Sequence, residues 1–321
     1  MIKPLLNLTT PRGPRARLST LIFHRVLDAP DPLFPEEIDA ARFDSLCGWL
    51  AAWFNVLPLG TAVRHLQERT LPERALAITF DDGYEDNLRV AVPILQRHGL
   101  TAAFFVASDY LDGGCMWNDG VVEAVRRTSH ASLDLSKVDD GSLGCIELGG
   151  VQQRRAAIDH LLGRLKYLEP ARREQAVDGV LKAAGVQRPR TLMMRSQEVR
   201  ELVRQGMAVG GHTASHPILA VLDDDAAMAE IARGKTALEE ILDSPIDLFA
   251  YPNGKPRTDY TGRSVALARR AGFRAAVTTA WGAAQQGSDM FQIPRFTPWD
   301  QHRARFGLRL VANLRRKPER I

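Results

Sequence analysis

The chain has 321 residues, 45% of them hydrophobic and 25% charged, the composition of an ordinary soluble globular protein; this excludes a disordered polymer, a collagen-like repeat and a small disulfide scaffold. The length fits one large α/β domain or two small ones. Lys plus Arg number 42 against 38 for Asp plus Glu, and part of the +4 surplus sits in Leu314-Arg315-Arg316-Lys317-Pro318-Glu319-Arg320, which lacks the interleaved aromatics or recognisable module of a nucleic-acid binder.

Residues 18–24 form a short β-branched and aromatic run, read as a buried strand ending at His24-Arg25. A proline-rich loop at 28–35 leads to a helix over 38–54, with Phe43, Leu46, Leu50 and Phe54 at helical spacing. Residues 76–80 are a second buried strand, closed by Asp81-Asp82-Gly83. Leu88, Val92 and Leu95 mark a helix, and 102–106 a third strand, so the order implies parallel βαβ units. From 107 to 190 strand signals give way to helical pieces at 121–127, 156–168 and 172–184, with a polar, glycine-rich surface loop at 129–150; this predicts an insertion or lid. Alternation resumes with a helix at 196–205, a strand at 207–210 and a helix at 223–242 whose acidic start suits the helix dipole. Strands are predicted at 248–251, 275–278 and 291–293. The organisation expected is one domain over 1–321 with a helical insertion at 107–190 and a basic C-terminal tail at 301–321.

No stretch approaches the roughly 20 apolar residues of a membrane span. Residues 1–18 carry Lys3, Arg12, Arg15, Arg17 and three prolines without an apolar signal core, so a cytoplasmic location is expected. Cys47, Cys115 and Cys145 lie far apart without C-x-x-C spacing and are expected as reduced thiols.

Three polar clusters follow predicted strands: Thr79-Phe80-Asp81-Asp82-Gly83, Gly211-His212-Thr213-Ala214-Ser215-His216, and Phe249-Ala250-Tyr251-Pro252-Asn253-Gly254. In parallel barrels the carboxyl ends of strands converge on one face, so the clusters point to a shared site. Asp-Asp-Gly alone is also ordinary turn chemistry. Two histidines four residues apart share one face of a helical turn and can reach one metal ion. Two imidazoles and one carboxylate make the open ligand set of a hydrolytic metal.

T-F-D-D-G followed by H-T-A-S-H resembles the first two signature motifs of the polysaccharide deacetylases, the NodB-homology carbohydrate esterases of family four, in motif order over 18–295. The resemblance implies a distorted (β/α)7 barrel related to the TIM barrel, and a hydrolase that removes N-acetyl or other acyl groups from a glycan or glycan precursor with one divalent ion. Zinc suits the set; cobalt, nickel, manganese or iron would also be accepted. Carried over, Asp82, His212 and His216 would hold the metal, Asp81 would be the base, and a backbone N–H near Tyr251, beside Pro252, would hold the oxyanion. Two motifs depart from the pattern. F-A-Y-P-N-G-K-P has no arginine ahead of Pro252, and Arg295 could supply the cation that orients Asp81, unless it is a surface residue. The L-x-H motif of the general acid is absent; His24, in an F-H-R-V that resembles the Y-H-x-V of relatives, is preferred over His302. His65, His98, His130 and His160 are expected to be solvated.

Trp117 could stack on a sugar, or lie in the core with Asn118 or Asp119 capping a helix; Trp281 and Trp299 are other platforms. The expected partner is an N-acetylated glycan or a lipid-linked glycan, with the basic tail able to touch anionic headgroups. The alternatives are a hydrolase of a small non-peptide C–N amide and a non-catalytic carbohydrate-binding barrel.

Overall fold

The computed structural model describes residues 2–321. In chain order the elements are α1 Ile2–Thr9, β1 Arg17–Phe23, α2 Ala40–Trp53, β2 Asn55–Val56, α3 Leu59–Glu68, β3 Ala75–Phe80, α4 Val92–Arg97, β4 Ala103–Val106, α5 Trp117–Arg127, β5 Ser132–Asp134, β6 Cys145–Glu147, α6 Val151–Leu165, α7 Pro170–Ala184, α8 Ser196–Arg204, β7 Ala208–Gly211, α9 Asp224–Leu242, β8 Leu248–Ala250, α10 Gly262–Arg270, β9 Ala275–Val277, β10 Ala284–Gln285 and α11 Arg303–Arg315. Two compact units result: residues 2–29 with Ile38–Leu111 and Met194–Ile321, and Pro30–Glu37 with Asp112–Met193.

The first unit is built on a curled sheet in the order β10-β1-β3-β4-β7-β8-β9, with β2 paired to the start of β3. Its central strands read as continuous apolar runs because they are covered on both faces: every residue of β3 and β4 is buried. β1 runs parallel to β3 from Leu18↔Ala75 to Phe23↔Phe80, and β4 parallel to β7 from Ala103↔Ala208 to Val106↔Gly211. β10 is antiparallel to β1.

The strand expected at 291–293 is reduced to isolated bridges, Val277↔Ile293 and Leu21↔Phe296. Ile293 N–H donates to Ala276 O at 3.0 Å and Phe296 N–H to Thr20 O at 2.8 Å, so this segment spans from β9 to β1 and closes the sheet. Pro294 between them has no N–H and interrupts a regular ladder. The basic stretch 301–321 is mostly the docked helix α11, with Phe306, Leu310 and Leu314 fully buried.

In the second unit α5, α6 and α7 enclose a core that includes Val125, Leu161, Val177 and Val180, and Leu33 of the first chain crossing packs into it. The surface loop expected at 129–150 contains the antiparallel pair β5–β6, Ser132↔Glu147 to Asp134↔Cys145, and buries Leu133, Leu135, Leu143 and Leu148. Strands of three residues are too short to show a period, which hid them among glycines and polar residues. Cys47, Cys115 and Cys145 are unbridged. Among the described residues no helix is long and apolar enough to cross a membrane.

One contact ties this scaffold to the loop after β7. A Cβ on Gly234 of α9 would lie 2.4 Å from the Thr213 carbonyl carbon and 2.8 Å from Ala214 N, so only glycine lets the helix pass. That proximity allows Ala214 N–H to donate to Glu230 O at 3.1 Å, and Ser215 N–H to the Glu230 carboxylate at 2.8 Å. Gly234→Ala should destabilise the chain by about 1–3 kcal/mol, outweighing the helix-propensity gain of roughly 1 kcal/mol. Urea unfolding checks this; a midpoint at or above the parent's would show that the loop yields instead.

Candidate active site

Asp81 and Asp82 leave β3 in a tight turn with φ of +78° at Asp82 and +93° at Gly83. A left-handed aspartate stores roughly 1–3 kcal/mol of strain and persists only where its surroundings fix it. Here Asp81 N–H donates to Phe23 O (2.9 Å), Ala107 N–H to Asp82 O (3.3 Å) and Met194 N–H to Gly83 O (3.0 Å). The two carboxylates thereby enter different environments.

Asp81 meets Arg295, which comes from the closing segment and is fully buried. The pair is bidentate, Nη1 to Oδ1 at 2.6 Å and Nη2 to Oδ2 at 2.7 Å. Two further donors are also used: Nε on Thr278 O at 2.9 Å, and Nη1 on Thr79 Oγ1 at 3.2 Å, while Thr79 Oγ1 itself donates to Leu21 O at 2.7 Å. Burial would raise the Asp81 carboxyl, but Arg295, then His212, more than reverse this, so its pKa lies below the ordinary aspartate value. The surface alternative for Arg295 does not occur.

Asp82 faces the histidines instead. His212 follows β7 fully enclosed, and its Nδ1 lies 2.8 Å from Ala250 O. A carbonyl only accepts, so Nδ1 carries a proton, which leaves Nε2, 3.4 Å from Asp82 Oδ1, as the nitrogen open to a cation. His216 Nε2 lies 3.5 Å from the same oxygen, with the two rings 4.7 Å apart. The spacing of the two histidines predicted a helical turn, but the segment is a loop, with φ of +62° at Thr213 and +56° at His216. Pro217 disfavours helical backbone at the residue before it, and Thr213 Oγ1 accepts the His216 N–H at 3.1 Å.

The donor atoms of Asp82, His212 and His216 all lie within 4.8 Å of one another. Asp82 Oδ1 is buried without a hydrogen-bond partner, an arrangement that carries a desolvation penalty unless a cation completes it. The titration behaviour agrees. Burial would lower His212, yet Asp81 and Asp82 hold it above its ordinary value, so the carboxylates draw positive charge to this point. His216 is pushed down to about 4 by burial and by His212, so it is a neutral imidazole. Two lone-pair nitrogens and one carboxylate oxygen fit a divalent ion such as zinc.

The other predicted residues are distributed as follows. His24, just past β1, is exposed; its charge acts on Asp81, Asp82 and His216, and its carbonyl accepts from Asn87 Nδ2 at 2.8 Å. His302 is exposed and precedes α11 without capping it. Tyr251 is turned into the core, stacked 4.2 Å from Tyr260 with its hydroxyl donating to Phe291 O at 3.1 Å. Its N–H is already engaged with Val277 O at 3.3 Å, and Pro252 has none, so neither residue supplies the expected oxyanion donor. Trp117 belongs to the second unit. It opens α5 behind Met116, which takes the cap position expected for Asn118 or Asp119, and the Arg173 guanidinium covers its ring at 5.0 Å. Sequence reasoning gave no role to Thr79, Asn87 or Glu230, whose hydrogen bonds fix Arg295, His24 and the histidine loop; Glu230 is one of several acids on its helix and carries no signal in the sequence.

Residues 68–133 and 172–276, more than half of the chain, match the polysaccharide deacetylase family model. YxkH of Bacillus subtilis (strain 168), named for the polysaccharide deacetylases, is 19% identical over 282 residues, 87% of this chain and 71% of YxkH. The Streptococcus pyogenes deacetylase PplD in complex with acetate superposes with a TM-score of 0.60 at 17% identity, covering 88% of this chain and 92% of that one. IcaB from Ammonifex degensii superposes with a TM-score of 0.59 at 19% identity, covering 93% and 98%. At such identities the structural likeness speaks for the fold, and it is the NodB-like curled barrel that the motifs implied. With its motif-bearing strands matched in order, the chain belongs to the polysaccharide deacetylase family, hydrolases of the carbohydrate-esterase type.

Proposed function

We propose that this chain is a divalent-metal-dependent hydrolase that removes N-acetyl groups from a glycan or a lipid-linked glycan precursor, with Asp82, His212 and His216 as metal ligands and Asp81 as general base. The observation that carries the reading is the buried, unpartnered Asp82 Oδ1 between the Nε2 atoms of His212 and His216. Zinc is the ion proposed, on ligand type. An ion held there supplies two things, polarisation of the scissile carbonyl and acidification of water.

The remaining work belongs to side chains. Asp81 is kept ionised and fixed in direction by Arg295, and each of its oxygens retains a lone pair for a proton from water. A carboxylate with a lowered pKa is a weak base, sufficient only for a proton already made acidic, so base and ion have to act together. His24, exposed at the end of β1 and electrostatically coupled to the triad, is the proposed general acid for the leaving amine.

Asp82→Ala should lose both the ion and acetate release. Asp81→Asn should keep the ion and lose about 10²–10⁴-fold in kcat. Metal analysis with acetate assays on N-acetylated glycans checks the pair; an Asp82→Ala protein that keeps its full metal content would sink the ligand assignment.

The Asp81–Arg295 pair also sets an acid limit. The folded-state pKa of Asp81 lies below its unfolded value near 3.9. Its contribution to stability is therefore complete above that value and lost as pH falls through the folded one. Arg295→Met leaves a buried unpaired carboxylate, which should destabilise the chain by about 3–5 kcal/mol at neutral pH. Burial then raises Asp81, so the acid limb of kcat/KM should move to higher pH. Denaturant titrations and pH–rate profiles read both effects, and an unmoved acid limb would mean that Arg295 does not tune the base.

A further inference from the structure

At the start of β1, a strand of seven residues or about 20 Å from the end that leads to His24, the C-terminal segment and β10 line an open cleft of about 490 Å³. Arg17, Arg257, Arg315, Arg316, Lys317 and Arg320 line it, and no carboxylate does. An adjoining cavity of about 770 Å³ shares Arg17 and Gln285 and adds Arg15 and Arg69, again without a carboxylate.

Four of these six cations are held by neighbouring groups, only one of which is acidic, while Arg315 and Lys317 are exposed. Arg17 donates to Leu314 O, and Arg320 Nη2 to Ser288 Oγ at 2.9 Å. Arg316 lies over the Trp281 ring at 5.3 Å. Arg257 alone has an acidic partner, Glu319 at 3.1 Å, and it also donates to Arg320 O. Arg320 Nε is buried with no partner. Like charges gathered in one concavity repel unless an anion enters, and a buried guanidinium N–H without an acceptor is costly. Five of the six are arginines, whose planar forks grip phosphate oxygens in pairs.

We propose that this cavity is an anion site separate from the catalytic centre, and that it takes an oligophosphate, two or more phosphate groups presented together, either as a free ligand or as the head of a lipid. The spread of cations over two joined cavities favours several charges on one ligand over a single small ion. Such a site anchors a phosphate-bearing molecule to the scaffold without using any group of the metal triad.

The test is calorimetry of the 321-residue chain with pyrophosphate and tripolyphosphate, beside sedimentation with phosphatidylcholine vesicles with and without phosphatidylinositol bisphosphate. Arg315→Glu combined with Lys317→Glu changes two exposed residues, and circular dichroism with acetate release confirms that the fold is retained. Saturable one-to-one binding, weakened by salt and at least about tenfold by the double reversal, supports the site. Binding of free pyrophosphate without vesicle binding assigns a soluble ligand. Vesicle binding that requires phosphatidylinositol bisphosphate and is competed by pyrophosphate assigns a lipid head. Binding of neither probe, binding indifferent to the double reversal, or binding abolished by Asp82→Ala would overturn the proposal, the last by locating the anion at the metal centre.

Discussion

Arg295 carries a full charge at zero solvent exposure, and the only environment that makes this tolerable is the one observed, with Asp81 taken at both oxygens and two further acceptors used. The pair joins the last segment of the sheet to the end of β3, 214 positions earlier in the chain. Closure of the barrel and orientation of the proposed base are therefore one event. The closing segment, bridged to both neighbours by a few backbone bonds, is weak as a strand; the buried ion pair supplies the specificity that a longer ladder would otherwise provide. Arg295 thus reaches Asp81 from the closing segment between β9 and β1, and not from the Phe249–Gly254 cluster that follows β8.

The strands and the two motif clusters were legible in the sequence because buried parallel strands read as unbroken apolar runs and because Asp-Asp-Gly and the histidine pair lie where those runs stop. Arg295 was visible only as a candidate: nothing in Ile293-Pro294-Arg295-Phe296 states that its side chain turns inward, since Pro294 erases the alternation that would have assigned a face. Tyr251 shows the reverse failure. Its place in the third motif pointed to an oxyanion donor, yet strand pairing with β9 had already claimed its N–H, a fact that depends on register and not on local sequence. β5 and β6 escaped notice because three-residue strands have no period to detect. Glu230 and Gly234 escaped because the contact that matters is a helix passing within van der Waals distance of a loop some twenty residues earlier.

The backbone at the site departs from ordinary conformations at several positions. Asp82, Thr213, His216 and Asn253 all have positive φ, and each stands in the turn that follows one of the three strands β3, β7 and β8. A residue continuing straight out of a strand would carry its side chain onward into solvent; a left-handed step reverses the chain within one or two residues and turns side chains back over the strand ends. Strain of roughly 1–3 kcal/mol at each such position would unfold a loop held only by itself. Here α9 holds the histidine loop through Glu230 and the missing Cβ of Gly234, while Phe23, Ala107 and Met194 hold the aspartate turn. The proposed ligands are thus fixed by the scaffold before any ion is considered. That preorganisation is what a hydrolytic centre needs, because an ion bound by loops free to relax would draw them into a closed coordination sphere and leave no position for substrate.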